Sequence, residues 1–193
     1  MSAQAALDGG KFGTNLFVEL LNNKPAGGYW YAFNTISVFW MLEGYLRVTG
    51  DTQFLYGTVV GGKTIAAWME HLSLLWTQPQ YQAHVGGPHP FLADYGGNPN
   101  NFLECIPSYI HTVAALQAQN AKMLRVVADI HDATGNTSAA AERRQQASAI
   151  LAAVQERLYV QGQGVFATLY PSNASNTDKR VAVRTCLDFM YLL

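Results

Sequence analysis

The chain has 193 residues, of which 49% are apolar and 13% charged, and its formal net charge is −1. That charged share is about half the usual ~25% of globular proteins, so the chain is expected to bury an unusually large part of its surface. The near-neutral balance gives no electrostatic case for nucleic acid or an anionic membrane as partner. No run of ~18 uncharged apolar residues is present to make a transmembrane helix. Residues 1–11 lack the basic start and apolar stretch of a signal peptide, which leaves the cytoplasm as the default location.

The length suits one domain, residues 1–193, with its own core. Cys105 and Cys186 belong to no CxxC or Cys/His cluster and read as buried free thiols, so neither a metal nor any other cofactor is expected. Asn136-Thr137-Ser138 and Asn173-Ala174-Ser175 match the glycosylation sequon, but such matches arise often by chance.

In chain order, the aromatic and aliphatic residues of 29–48 predict a first helix. It stops at Thr49-Gly50-Asp51, where Gly50 suits the left-handed position after a helix and Asp51 suits the N-cap of the next. A second helix is expected over 52–76, bent near Gly61-Gly62. Gly61-Gly62-Lys63-Thr64 lacks the upstream glycine and preceding strand of a phosphate loop. Residues 77–101 hold Gly86-Gly87-Pro88, Pro90, Gly96-Gly97 and Pro99, and predict a long irregular loop. Loops of that length inside a compact domain are usually functional.

A third helix is expected over 107–133, with Ile110, Val113, Leu116, Met123, Leu124, Val127 and Ile130 at helical spacing. It stops at Thr134-Gly135-Asn136, a second copy of the first stop–start signal. A fourth helix follows over 138–158. Gly162-Gln163-Gly164 is a turn, 165–169 a short extended piece, and a fifth helix starts near Lys179. The two Thr-Gly signals, at 49 and 134, suggest a repeated helical hairpin with a long insertion. The apolar run Cys186-Leu187-Asp188-Phe189-Met190-Tyr191-Leu192-Leu193 carries no cap, which suggests a piece of a larger domain; a terminal helix docked into its own core is the alternative.

The loop is where chemistry is expected. It holds His84, His89, Asp94 and Tyr95, with Glu104 just beyond and Tyr109 after it. A carboxylate in a glycine-rich loop at the mouth of a helical scaffold can act as a general acid if its pKa is raised by burial or by a second carboxylate. A loop Asp is more often an N-cap or turn residue, and Glu104 before Pro107 is equally a charge near a helix N-terminus. The spacing of His84 and His89 does not suit a metal. Tyr29, Trp30 and Tyr31, three aromatics in a row, cannot all face one core, so some are expected to face a cavity or a partner.

Two segments carry a resemblance. Tyr29-Trp30-Tyr31-Ala32-Phe33-Asn34-Thr35, continuing to Glu43-Gly44-Tyr45-Leu46-Arg47-Val48-Thr49-Gly50-Asp51, is the first. Phe91-Leu92-Ala93-Asp94-Tyr95-Gly96, with Asn101-Phe102-Leu103-Glu104-Cys105-Ile106-Pro107-Ser108-Tyr109 and on to Ala118-Gln119-Asn120, is the second. Together they resemble the clan of α/α-toroid glycosidases that holds mannosyl-oligosaccharide glucosidase, mannosylglycerate hydrolase and trehalase. The resemblance implies an all-α fold, a partial (α/α)6 toroid of helical hairpins with a long irregular active-site loop. It also implies an inverting hydrolase of α-linked glucosides or mannosides, whose two carboxylates stand ~6.5–9.5 Å apart. Asp94 matches the family's general acid; the base, a Glu from a later hairpin, has no match in this chain. Trp30, Tyr31, Asn34, His89, Tyr95, Glu104 and Tyr109 would line the sugar subsite, with Asn34 where members often have Asp.

On this reading the chain supplies about two and a half of six hairpins, so self-association or a missing C-terminal half would cover the inner helices, and the isolated chain would be inactive or nearly so. The alternative is a non-catalytic helical module that binds carbohydrate or oligomerises. A lyase or epimerase using His84, His89 or Tyr109 is a third class.

Overall fold

The computed structural model describes residues 32–82, 91–97, 106–170, 179–183, 185 and 188. The described chain is mostly helical with a small sheet portion. It forms two compact units, Met1–Leu72 and Ser73–Leu193.

In the first unit, α1 (Ala32–Thr49) buries Thr35, Val38, Phe39 and Leu42, which recur at helical spacing along one face, and leaves Met41 and Val48 exposed. Gly50 ends it at φ 63°, a left-handed conformation that costs glycine little. Asp51 then caps α2 (Thr52–Gly57): its Oδ1 accepts the Phe54 N–H at 2.8 Å and its Oδ2 the Tyr45 hydroxyl at 2.8 Å. The Phe54 N–H, and after it the Tyr45 hydroxyl, hold the Asp51 carboxyl below its ordinary value.

The single helix expected over 52–76 is broken in two. Val59–Val60 (β1) and Lys63–Thr64 (β2) pair as an antiparallel hairpin. Its two linking residues, Gly61 and Gly62, have φ of 57° and 81°. Positive φ at both central residues is what a type I′ hairpin turn requires, so the glycines reverse the chain rather than bend a helix. The helix resumes as α3 (Ile65–Leu75). Buried Trp68 on α3 donates its indole N–H to Val60 O at 2.7 Å, and Lys63 Nζ lies 4.4 Å from the centre of its ring.

In the second unit, a short α4 (Pro79–Gln82) starts on proline, whose missing N–H costs nothing at a first helical position. The third expected helix starts later than 107, as α5 (Ala114–Ala133). Three of the four residues before it, Ile110, Thr112 and Val113, are β-branched and favour extended backbone. Thr112 pairs with Leu169 in both directions, N–H to O at 3.2 and 3.0 Å, so this stretch belongs to the sheet side of the unit. Gly135, at φ 77°, closes α5, and the Asn136 side chain accepts the Ala139 N–H at 3.3 Å to start α6 (Thr137–Ala153).

A π-helical turn (Val154–Leu158) carries α6 into a three-stranded antiparallel sheet of β3 (Tyr159–Val160), β4 (Val165–Tyr170) and β5 (Lys179–Ala182). The extended piece expected over 165–169 is thus β4. The fifth helix expected from Lys179 does not start there: Lys179–Ala182 is strand β5, paired with β4 from Tyr170↔Lys179 to Ala167↔Ala182, while Asp188 is helical and most of the remaining expected helix lies outside the described residues. Strand pairing outweighs the local pattern there, because β4 is buried from Val165 to Leu169 and its backbone groups need partners.

Among the described residues two apolar clusters hold the unit. Ala121 and Leu124 of α5 meet Ala147 and Ile150 of α6, with small residues allowing close approach of the helices. Leu92, Ala114, Val154, Leu158, Phe166 and Leu169 form the other, which ties the loop before α5 to the sheet.

Candidate acid–base site

Residues 92–95 are all buried, so every polar backbone group there must find a partner. Gln117, buried in the first turn of α5, supplies two. Its Oε1 accepts the Ala93 N–H at 2.9 Å and its Nε2 donates to Ala93 O at 2.8 Å. The side-chain amide thus pairs with the loop as a neighbouring strand would. Asp94 N–H reaches Tyr81 O at 2.7 Å, and His111 N–H reaches Gly96 O at 2.9 Å. These bonds fix the position of Asp94.

The Asp94 carboxylate accepts the Gly96 N–H at 2.6 Å on Oδ1. His111 Nδ1 lies 3.2 Å from Oδ2 and 3.3 Å from Oδ1. The Asp94 side chain is 1% exposed and that of His111 20%, so the imidazole is the solvent-side member of the pair. His111 is the described non-glycine residue with positive φ, 66°. Such residues are uncommon, and backbone strain of this kind concentrates at functional sites. Its ring stands 5.2 Å from that of Tyr170, whose hydroxyl donates to Ser108 O at 2.6 Å. A Cβ added at Gly97 would fall 3.2 Å from His111 Nε2, so the absence of a side chain there leaves that nitrogen room.

A second constellation lies at the N-terminus of α5. The Tyr95 hydroxyl donates to Tyr109 O, and the Tyr109 hydroxyl donates to Asp188 Oδ1 at 2.5 Å. The same oxygen accepts the Ala115 N–H at 3.2 Å. The helix N-terminus and the tyrosine both favour the charged carboxylate, yet burial outweighs them and pushes Asp188 up to about 6. Burial first, then the Asp188 charge, drives the Tyr109 hydroxyl well above its ordinary value. Tyr95 rises for the same reason, with the Asp94 charge as the second cause.

Of the residues singled out in the sequence, Asp94, Tyr95 and Tyr109 come together here. The two tyrosines are packed inside, at 6% and 1% exposure, with their hydroxyls engaged by the protein. Asn34 lies on α1, in the other unit. Trp30, Tyr31, His84, His89, Glu104, Cys105 and Cys186 lie outside the described residues. Sequence reasoning passed over His111, Gln117 and Asp188. The helix expected over 107–133 includes His111, and its β-branched neighbours are the contrary signal. Asp188 was visible as a lone acid in an apolar run.

Further polar atoms are buried on or next to α5. Asn120 Oδ1 and Nδ2, Gln119 Oε1 and Thr112 Oγ1 have no hydrogen-bond partner among the described residues. Among the described residues no group of three or more His, Cys, Asp or Glu is arranged to hold a metal, and no helix is long and apolar enough to cross a membrane.

No protein-family model, curated protein or solved structure matches the chain.

Proposed function

We propose that this chain is the acid-bearing part of an inverting glycoside hydrolase of the α/α-toroid kind, acting on α-linked glucosides or mannosides, with Asp94 as the general acid. The observation that supports this reading most is the placement of Asp94. A buried carboxylate, fixed through its own backbone and through Gln117, sits in the loop that leads to the long helix α5 and pairs with a partly exposed imidazole. In a dry, preorganised setting a carboxylic acid transfers its proton to a glycosidic oxygen with little reorganisation. The resemblance of the two segments around Trp30 and Asp94 supplies the substrate class and the partial toroid. The base would come from a hairpin for which this chain offers no match.

The test is direct. The chain is titrated with methyl α-glucoside and methyl α-mannoside by calorimetry, and its turnover of an aryl α-glucoside is measured alongside the Asp94→Asn variant. Saturable binding of one sugar and a low turnover abolished by Asp94→Asn are expected. Binding of neither sugar, or turnover that the variant retains, overturns the reading.

A further inference from the structure

Asp188 is a carboxyl group taken out of water with no cation to meet it. The residue is 2% exposed, and among the described residues no Lys, Arg or His forms an ion pair with it. Two donors hold it, the Tyr109 hydroxyl at 2.5 Å and the Ala115 N–H at 3.2 Å. Both fall on Oδ1, so Oδ2 is the oxygen left to carry a proton. An unpaired charge buried in this way is costly, whereas the neutral acid keeps both hydrogen bonds without that cost. We propose that Asp188 is an acid-closed latch: protonated, it is docked on Tyr109 and the N-terminus of α5, and on losing its proton it is released into water. The inference stands on the docking geometry and is independent of the hydrolase reading.

The anchors on either side make the release local. Strand β5 is paired with β4 from Lys179 to Ala182, and the Val183 N–H reaches Phe166 O at 3.4 Å. Asp188 lies beyond that anchor, so its release does not require the sheet to part. The seat is fixed as well: the Tyr109 N–H reaches Ile106 O at 2.9 Å, and the Tyr109 carbonyl accepts the Tyr95 hydroxyl. Release takes the acceptor away from the Tyr109 hydroxyl and from the Ala115 N–H, next to the segment that carries His111. The groups facing the carboxyl are Tyr109 from the segment before α5 and the N–H end of α5 itself. Tyr95 stands behind Tyr109, beside Asp94, and His111 pairs with Asp94 instead.

Burial sets Asp188 at about 6, against the opposing hydrogen bonds from Tyr109 and Ala115. Released into water it returns to about 3.9. Between those values the docked form holds the extra proton. Docking is therefore strongest below about pH 4 and weakens as pH rises through about 6, by roughly 100-fold in all. On release the Oδ2 proton passes to water, and no other covalent bond changes.

Native-state hydrogen exchange on the full chain tests the latch, with rates corrected for the intrinsic effect of pH. The readout is the Ala115 N–H, a first-turn donor that has no acceptor within the helix. The reference is the Leu124 N–H in the middle of α5. From pH 4 to pH 7 the protection of Ala115 is expected to fall about 10–100-fold. At pH 7 it should lie below that of Leu124 and be insensitive to low urea, the mark of a local opening. Asp188→Asn, uncharged and of similar shape, is expected to keep Ala115 protected at both pH values, and Asp188→Ala to leave it weakly protected at both. Equal protection at pH 4 and pH 7 in the wild-type chain overturns the latch. So does a fall that Asp188→Asn retains. Exchange of Ala115 at pH 7 with the rate and urea dependence of Leu124 overturns it too, because the opening is then global unfolding. The wild-type comparison needs no variant and decides the matter even where a substitution prevents folding.

Discussion

The Tyr109 hydroxyl donates a 2.5 Å hydrogen bond to Asp188, 79 residues further along the chain. The bond fastens Asp188 to the start of α5, since the same carboxylate oxygen also accepts the Ala115 N–H. It therefore joins the part of the chain that carries Asp94 and His111 to a residue of the C-terminal apolar run.

Asp188 makes stability depend on pH. Burial raises its folded pKa to about 6, while the unfolded value is about 3.9. Between those values the folded state binds the extra proton, so the contribution is full below about pH 4 and is lost as pH rises through about 6. The loss amounts to roughly 2–3 kcal/mol. Urea unfolding from pH 4 to 7 should show this decline, superimposed on the other carboxylates, and Asp188→Asn should flatten it. An unchanged profile in the variant means that the group does not titrate as placed. Tyr109→Phe removes a donor to the buried carboxylate and should cost about 1–3 kcal/mol at pH 8, and less at pH 5.

Gln117→Leu keeps the side-chain volume but leaves both backbone polar groups of Ala93 without their amide partner. Each unsatisfied buried group costs about 1–3 kcal/mol, so a loss of about 3 kcal/mol is expected in denaturant unfolding. The Asp94–His111 contact should loosen with it, visible as a change in the His111 ring resonances. A loss under about 0.5 kcal/mol, typical of an ordinary surface change, means that the clamp does not hold the loop.

Asn120 is fully buried, and neither of its amide atoms has a hydrogen-bond partner among the described residues. Replacing it by leucine removes the cost of keeping two polar atoms away from water. Asn120→Leu is expected to raise stability by about 1–2 kcal/mol in thermal unfolding. A clear loss of stability would show that the amide is satisfied in the protein in solution.

Gly135 adopts φ 77° with nothing within 4 Å of the position a Cβ would occupy. Gly135→Ala therefore meets backbone strain alone, about 1–2 kcal/mol, whereas Gly135→Asn should cost less because Asn visits this conformation readily. Equal unfolding midpoints for the two variants would count against a left-handed turn here.

What the sequence determined by itself was local. Gly50-Asp51 and Gly135-Asn136 end one helix and cap the next through atoms within a few residues of each other, so their chemistry is readable in order. Gly61-Gly62 was readable only as a bend within one helix, whereas with its β-branched flanks it forms a hairpin. The loop before α5 and the carboxylate Asp94 were likewise visible as glycine, proline and an acid in one stretch. What only the tertiary structure decided was non-local. The start of α5 at Ala114 depends on Thr112 pairing with Leu169, and strand β5 depends on the unsatisfied edge of β4. The pairing of His111 with Asp94 and of Tyr109 with Asp188 joins residues 17 and 79 positions apart. Burial then set the proton affinity of Asp188 against the pull of its own hydrogen bonds. A desolvation cost of that kind depends on what surrounds a group in space, and no local pattern of residues encodes it.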